Sequence, residues 1–231
     1  MKLAVMQPYL FPYLGYYQLA NSCDLFVFYD DVNYIKGGFI NRNYLLTNNG
    51  VTRFTLPITK QSSFKKINEL EFSGDTKKIL KMIAQSYSKH PYFDDVYPIV
   101  VNIIEQKERL VSKVCASSII AVFQYLEMDL NWVYSSECDY ERCLDPQDRI
   151  VKICGSFKAD AYINSIGGRN LYDHEGFKRN GIDLLFLNKF QRTYVQQNAK
   201  DGFVDNLSII DLLMSCSKRE IKSFLNGYEV C

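Results

Sequence analysis

Charged side chains follow the second apolar run of the chain, where their types and order could carry acid–base chemistry. Asp30 and Asp31 end that run, and Arg42 closes the polar stretch after it. One carboxylate could take a proton from an amine or hydroxyl, or hold Mg²⁺ on a phosphate, while the guanidinium could bind phosphate or carboxylate. Neighbouring side chains of an extended chain point in opposite directions, so both aspartates are not expected to reach one ligand. A charged turn with an internal Asp–Arg pair is the alternative.

The loop after the first apolar run is rigid and carries a single glycine. Pro8 and Pro12 fix its backbone, and Gly15 permits close approach where a helix-like patch begins. The free N–H groups of a helix start suit an anion such as phosphate, and a rigid turn with aromatic packing is the alternative. Tyrosine rings of this stretch suit stacking on a sugar or base as well as core packing; they are Tyr9, Tyr13, Tyr16, Tyr17, Tyr29 and Tyr34.

A similar arrangement recurs in the C-terminal half. The apolar run 159–164 is followed by Gly167 and Gly168. Glycines between a strand and a helix often hold phosphate, although two glycines alone are a weak signal.

These residues need a sheet that brings strand ends together. The order strand, loop, short helix, strand at both ends of the chain predicts an α/β fold with a mostly parallel, Rossmann-like sheet. At 231 residues we expect one domain, 1–231, with a helical insert or subdomain at about 75–127. Ligands of open parallel sheets bind beyond the carboxyl ends of the strands. The opening loop and the Asp30 to Arg42 segment are therefore predicted to face one another across one pocket.

Composition narrows the class of protein. The net charge of +1 gives no overall field toward nucleic acid or an acidic membrane. The chain opens without a basic leader and has no apolar run of about 18 residues, so we expect a cytoplasmic protein without a membrane span. The seven cysteines form no C-x-x-C pair and are interpreted as free thiols, with no metal site predicted; they are Cys23, Cys115, Cys138, Cys143, Cys154, Cys216 and Cys231.

The opening loop is similar to the phosphate loop of the nucleotidylyltransferase-like fold, where a glycine at a helix start also follows the first strand. Enzymes of that fold use a histidine pair at this loop. The histidines of this chain are His90 and His174, far from it in sequence, which counts against adenylyl transfer by that route.

Several motifs resemble, in order and spacing, the WbqC-like family of bacterial surface-polysaccharide gene clusters. They are MQPYLFPYLGYYQL, DLFVFYDDVNYIKGGFINRN, YINSIGGRNLY, GIDLLFL, TYVQQ and LSIIDLLM. The resemblance implies a cytoplasmic protein of O-antigen or related glycan biosynthesis. Many relatives have His before the Gln-Pro pair, where this chain has Met6.

The motif positions that the resemblance carries over are candidates for the site. They are Gln7, Pro8, Tyr9, Pro12, Gly15, Tyr16, Asp30, Asp31, Tyr34, Asn41, Arg42, Gly167, Gly168, Tyr172, Tyr194, Gln196, Ser208 and Asp211.

The predicted function is a transferase that modifies a nucleotide-linked amino sugar, by N-acylation, during surface-glycan synthesis. The predicted roles are proton acceptor for Asp30 or Asp31, pyrophosphate binding for Arg42 and the Gly167-Gly168 loop, and sugar orientation for Gln7, Tyr34 and Asn41. The acyl donor is left open between a carrier-protein thioester, coenzyme A and an activated amino acid, and a homo-oligomer is allowed. A nucleotidyl- or adenylyl-forming enzyme and a non-catalytic partner of glycan enzymes are the alternatives.

Overall fold

The computed structural model describes residues 1–142, 144–200 and 202–231. Its centre is a six-stranded sheet, accompanied by two small two-stranded sheets. The strands are β1 (Lys2–Met6), β2 (Leu25–Phe28), β3 (Arg42–Thr47), β4 (Gly50–Thr55), β5 (Ile58–Thr59), β6 (Glu71–Phe72), β7 (Trp132–Tyr134), β8 (Ala161–Ser165), β9 (Asp183–Lys189) and β10 (Tyr228–Val230).

The central sheet has the order β10-β9-β8-β1-β2-β7. Every neighbouring pair is parallel except β9 with β10, which is antiparallel. The chain moves outward from β1 in one direction through β2 and β7, and then in the other through β8 and β9. The predicted mostly parallel α/β sheet is confirmed, whereas β10 was not predicted. The strand order reverses between β1 and β8, where sheets of this kind open a crevice for ligands.

Residues of β1 alternate between the two faces of the sheet, as a strand buried on both sides requires. Leu3 and Val5 pack into one core and Ala4 into the other. Helices cover both faces. They are α1 (Leu14–Asn21), α2 (Lys77–Tyr87), α3 (Phe93–Glu105), α4 (Val111–Tyr125), α5 (Pro146–Ser156), α6 (His174–Arg179), α7 (Ile209–Ser215) and α8 (Lys218–Leu225).

The helices divide by sequence between the two cores. Apolar side chains of α5 and α6 pack on the face of Leu3 and Val5. Those of α1 to α4, α7 and α8 pack on the opposite face, so the helices of the predicted insert share one core with α1. Loops after β1 and β8 therefore leave the sheet toward opposite faces, which opens the crevice between them.

The hairpin β3–β4 stands beyond the carboxyl ends of the strands. Its two-residue turn, Asn48 and Asn49, lies within the Asn-Asn-Gly segment that predicts it, and Gly50 pairs with Thr47. Hydrogen bonds from distant segments hold it. Asn43 donates to the carbonyl of Phe11 at 2.9 Å, and the carbonyl of Tyr44 accepts from the amide of Ser208 at 2.8 Å. The amide of Leu46 donates to the Tyr87 hydroxyl at 3.1 Å.

No helix of the described ranges is both long and apolar enough to cross a bilayer. The described cysteines are free thiols, and Cys143 lies outside the described residues.

Candidate functional site

A cavity of about 500 Å³ opens in the crevice where the strand order reverses. The loop after β1 supplies Tyr13, the start of α1 supplies Gly15, and the turn after β8 supplies Ile166 and Gly167. The other walls come from the loop before the hairpin, the hairpin itself, the ends of β8 and β9, and the segment before α7; they are Phe39, Asn43, Tyr44, Val51, Ser165, Leu187, Lys189, Val204, Asp205, Asn206 and Leu207. Most of these side chains are apolar or aromatic, so the cavity favours an apolar group.

An ion pair stands in this apolar lining. Lys189 Nζ lies 2.5 Å from Asp205 Oδ2 and 2.8 Å from Asn206 Oδ1. The side chains of Lys189 and Asp205 keep 34% and 52% of their surface exposed, so a ligand can reach both. An ammonium has three donors, and these two acceptors leave one for a ligand oxygen. Burial, and then the charge of Asp205, raises the pKa of Tyr13, whose phenol stays protonated at neutral pH.

The start of α1 forms another part of the cavity wall. The helix begins at Leu14 after Tyr13, whose side chain does not cap it. The amide of Tyr16 donates to the carbonyl of Tyr13 at 3.0 Å, so the amides of Leu14 and Gly15 are the ones without intrahelical acceptors, and the helix dipole favours an anion beside them. A Cβ at Gly15 would lie 2.6 Å from ring atom Cε2 of Tyr13, so only glycine lets this ring pack on the backbone.

The structure brings Gly15 and Gly167, two predicted site residues, to the same cavity. Gly168 is buried beside them, and a Cβ there would lie 3.0 Å from Nδ2 of Asn164. The Gly-Gly turn therefore belongs partly to the cavity and partly to the packing under it. Phosphate binding by this turn stays a prediction.

Asp30 and Asp31 lie in a buried network with the loop after β7. Asp30 accepts hydrogen bonds from the amide and hydroxyl of Ser136 at 3.0 and 2.9 Å. Asp31 accepts from the Tyr140 hydroxyl at 2.8 Å and from Nε of Arg142 at 2.7 Å. The two side chains are 1% and 6% exposed. The proton-accepting role remains a prediction, and a substrate would have to displace these donors to meet either carboxylate.

The pKa of Asp31 gives this network a testable pH dependence. Burial alone would raise the pKa, but hydrogen bonds from Ser135, Tyr140 and Arg142 outweigh burial and lower it. A lowered carboxyl pKa stabilises the fold above the unfolded pKa, and this stability is lost as pH falls through the folded pKa. We expect Asp31→Asn to reduce the free energy of unfolding by about 1.5–3 kcal/mol at pH 7.

Urea denaturation at pH 7 and at pH 3 measures this effect, and the difference between wild type and Asp31→Asn should shrink at the lower pH. Asp160→Asn is the matched control, since Asp160 also forms an ion pair but is exposed at the surface. Its stability should match that of the wild type. Equal effects of the two substitutions would contradict the role given to the Asp31 network.

Tyr34 and Asn41 shape the loop beside the hairpin rather than an open surface. The Tyr34 hydroxyl donates to Oδ1 of Asn41 at 2.8 Å and accepts from Nε2 of Gln61 at 2.7 Å. Tyr34 and Asn41 are both buried. Arg42 is half-buried next to them, and its Nε has no hydrogen-bond partner among the described residues.

The remaining residues of the opening loop are held by one another. The Tyr16 hydroxyl donates to the carbonyl of Gln7 at 2.8 Å, and the rings of Tyr9 and Tyr16 lie 5.7 Å apart. Tyr16 is buried, while Gln7 and Tyr9 are partly exposed. These contacts fix the course of the loop from β1 to α1.

Three later candidates lie in two further clusters. The Tyr172 hydroxyl lies 3.2 Å from that of Tyr162, in the core covered by α5 and α6. Tyr194 and Gln196 instead surround buried Asp211 and donate to its Oδ2 at 2.7 and 3.2 Å.

The histidines lie away from the cavity. His90 is buried with its ring 4.8 Å from that of Tyr87, and the ring of His174 lies 5.7 Å from that of Phe186. Within the described ranges, no cluster of three or more His, Cys, Asp or Glu is placed to hold a metal ion.

The sequence interpretation did not include Lys189 and Asp205. Lys189 ends β9, so the rule applied to the other strands, that polar residues at carboxyl ends line the site, would have found it. Asp205 stands in an irregular segment with no period or motif that points to a ligand.

Comparison with known proteins agrees with the motifs of the sequence. The chain is 26% identical over 219 residues to the uncharacterized protein Rv1507c of Mycobacterium tuberculosis (strain ATCC 25618 / H37Rv), and the alignment covers 93% of each chain. No solved structure matches. The WbqC-like protein family matches residues 7–223, nearly the whole sequence. The chain therefore belongs to the WbqC-like protein family.

Proposed function

We propose that this protein transfers an acyl group from a thioester to the amine of a nucleotide-linked amino sugar. The observation that carries the proposal is the apolar cavity of about 500 Å³, with its Lys–Asp pair, in the crevice where the strand order reverses. An apolar lining suits an acyl chain and disfavours a pyrophosphate, which needs charge and hydrogen bonds. The surface-glycan context implied by the family resemblance supports an amino sugar as the acceptor.

The residues of the cavity have different roles in this reaction. The acyl chain lies among the apolar side chains, and the sugar amine stands beside Asp205. The amine nitrogen attacks the thioester carbonyl, so that the C–N bond forms and the C–S bond breaks, releasing a thiol. Asp205 accepts the proton that the amine loses and passes it to the leaving sulfur, which departs as the thiol. Lys189 orients the carboxylate of Asp205 and donates to the carbonyl oxygen of the thioester.

The phosphates of the nucleotide lie outside the apolar part of the cavity. The start of α1, at the cavity wall beside Gly15, provides amides and a favourable dipole for them. The glycine turn after β8 flanks the same position and offers a second approach for backbone amides.

Binding tests this proposal before any donor is known. Nucleotide-linked amino sugars at about 100 times their Kd should raise Tm by about 5–10 °C, since a bound ligand stabilises the fold by mass action. Mass spectrometry with a butyryl thioester should then detect the N-butyryl sugar. A shift with ATP or CTP and Mg²⁺ in place of sugars would favour nucleotidyl transfer. No shift with any ligand would favour a non-catalytic partner.

A variant that fills the cavity gives the matched control. Val51 lines the cavity from β4 and is 51% exposed, so Val51→Trp narrows the cavity without disturbing the core. Thr55→Trp places the same ring at an exposed position of the same strand. Val51→Trp should abolish the Tm shift and Thr55→Trp should preserve it. The cavity would be excluded as the site if both variants bound like the wild type.

A further inference from the structure

Positive charge is concentrated in one stretch of this nearly neutral chain. Residues 32–68 contain no Asp or Glu, although the whole chain has a net charge of only +1. The basic residues of the stretch are Lys36, Arg42, Arg53, Lys60, Lys65 and Lys66. The rest of the chain is therefore net negative, and the stretch stands out as a positive segment.

Hydrogen bonds bring the two ends of this stretch together. The amide of Tyr34 donates to the carbonyl of Lys65 at 2.9 Å, and Asn33 pairs with Lys66 in an isolated bridge. Gln61 donates to the Tyr34 hydroxyl at 2.7 Å. The loop that carries Lys60 and Lys65 therefore lies against the segment that carries Lys36.

The charges of this surface are available to a partner. Lys36, Lys60 and Lys65 are exposed, and no lysine or arginine of residues 32–68 forms an ion pair with a described carboxylate. Two carboxylates border the surface. Glu69 accepts from the backbone amide of Lys66, and Glu71 pairs with Thr59 across β5–β6, so lysines dominate the surface between them.

Apolar side chains continue the same surface to the mouth of the cavity. Phe64 is 93% exposed and Ile35 is 55% exposed. The amide of Gly38 donates to the carbonyl of Ile35 at 3.2 Å, which brings Ile35 close to Phe39. Phe39 is half exposed and lines the cavity. We call this surface the basic patch, formed by Ile35, Lys36, Phe39, Lys60, Phe64 and Lys65.

We propose that the basic patch docks an acidic carrier protein that delivers the acyl group on a thioester arm. This inference rests on the proposed function, since the cavity beside Phe39 would receive the acyl group. An acidic partner matches the lysines of the patch, and Phe64 and Ile35 supply the apolar contact that anchors a protein interface. A donor docked there places its arm at the cavity mouth. The acceptor sugar does not need the patch.

A comparison of two donors tests the docking. One donor is an acidic acyl carrier protein that bears a butyryl thioester. The other is S-butyryl pantetheine, an uncharged small-molecule thioester. The variant Lys36→Glu/Lys60→Glu/Lys65→Glu should lower kcat/KM for the carrier at least about tenfold and leave kcat/KM for S-butyryl pantetheine unchanged. Raising the salt concentration should likewise lower the kcat/KM of the wild-type protein for the carrier.

The control variant is Lys77→Glu/Lys78→Glu/Lys81→Glu on α2, which changes the net charge equally at exposed positions. It should leave both rates unchanged. Equal losses in the two variants, or unchanged carrier kinetics in the patch variant, would overturn the docking surface. Binding to vesicles of anionic lipid that the patch variant loses, without carrier binding, would assign the patch to a membrane instead.

Failure of the proposed function would give results that differ from failure of the docking surface. If the wild type acylates no sugar from S-butyryl pantetheine or from the carrier, acyl transfer is wrong whatever the patch does. Calorimetry with the holo-carrier, without acyl group or sugar, then decides the docking by itself. Binding that the patch variant loses supports the docking surface, and an absence of binding rejects it.

Discussion

Asp205→Asn is expected to slow acyl transfer by about 10²- to 10⁴-fold, because an amide cannot take the proton that the attacking amine must lose. The amide keeps the size of the side chain and one acceptor for Lys189, which bonds to Asp205 at 2.5 Å in the wild type. Binding of the sugar should therefore change little. Steady-state rates with S-butyryl pantetheine measure the loss, and the Tm shift with the nucleotide-linked sugar measures the binding.

Three other substitutions make this result specific. Asp183→Asn changes an exposed aspartate at the opposite end of β9 and should leave the rate unchanged. Asp30→Asn and Asp31→Asn test the base that the sequence predicts. A large loss of rate with Asp30→Asn or Asp31→Asn in a stable, sugar-binding protein, together with a normal rate for Asp205→Asn, would return the catalytic role to that pair.

Asp211→Ala is expected to lower the free energy of unfolding by about 3–5 kcal/mol, because it leaves several buried donors without an acceptor. Asp211 is 1% exposed, and its Oδ1 accepts from the Tyr87 hydroxyl at 2.8 Å. Tyr194 and Gln196 donate to its other oxygen. Urea denaturation measures the change. Asp129→Ala, at an exposed loop position, should stay within about 0.5 kcal/mol of the wild type.

The pH dependence of Asp211 has the opposite sign to that of Asp31. Burial raises the pKa of Asp211, and hydrogen bonds from Tyr194, Tyr87 and Gln196 offset burial only in part. The folded chain therefore keeps a proton that the unfolded chain has lost, and stability falls as pH rises through the folded pKa. The variant Asp211→Asn has no such titration, so the free energy of unfolding of the wild type should fall relative to that of the variant from pH 4 to pH 8.

His90 belongs to the same cluster and must be controlled. Burial lowers the pKa of His90, and the charge of Asp211 opposes that shift. Because the pKa of His90 is lowered, His90 makes the fold less stable as pH falls. This effect opposes the pH dependence that Asp211 contributes. The pH dependence of the free energy of unfolding should therefore be compared between the His90→Gln variant and the double variant Asp211→Asn/His90→Gln. A stability difference that stays constant with pH in that background would contradict the raised pKa of Asp211.

The fold was largely predictable because the sheet is buried on both faces. Continuous apolar runs followed by helical periods give strands and crossover helices directly, and β1, β2, β8 and β9 all follow this rule. β10 was missed because the strand has only three residues, is largely exposed, and runs antiparallel to β9 at the edge of the sheet. Such a strand is defined by its partner β9 rather than by its own composition.

The candidate site was predictable only in part. Gly15 and Gly167 reach the cavity because both follow central strands of the sheet. Asp30 follows a central strand too, yet the loop after β7 folds over it with Ser135 and Ser136. A strand end gives the position of a side chain but not whether a later loop covers it. Asp205 depends entirely on tertiary packing of an irregular segment, which no local pattern encodes.

The anchoring of the hairpin β3–β4 has a consequence for how ligands enter. Phe11, Ser208 and Tyr87, from three distant segments, hold this wall of the cavity in place. A wall tied to so many elements is preorganised, so a ligand loses little affinity to ordering it. Association should accordingly follow simple one-step kinetics without a slow isomerisation, and stopped-flow binding traces should be single exponentials whose rate rises linearly with ligand concentration.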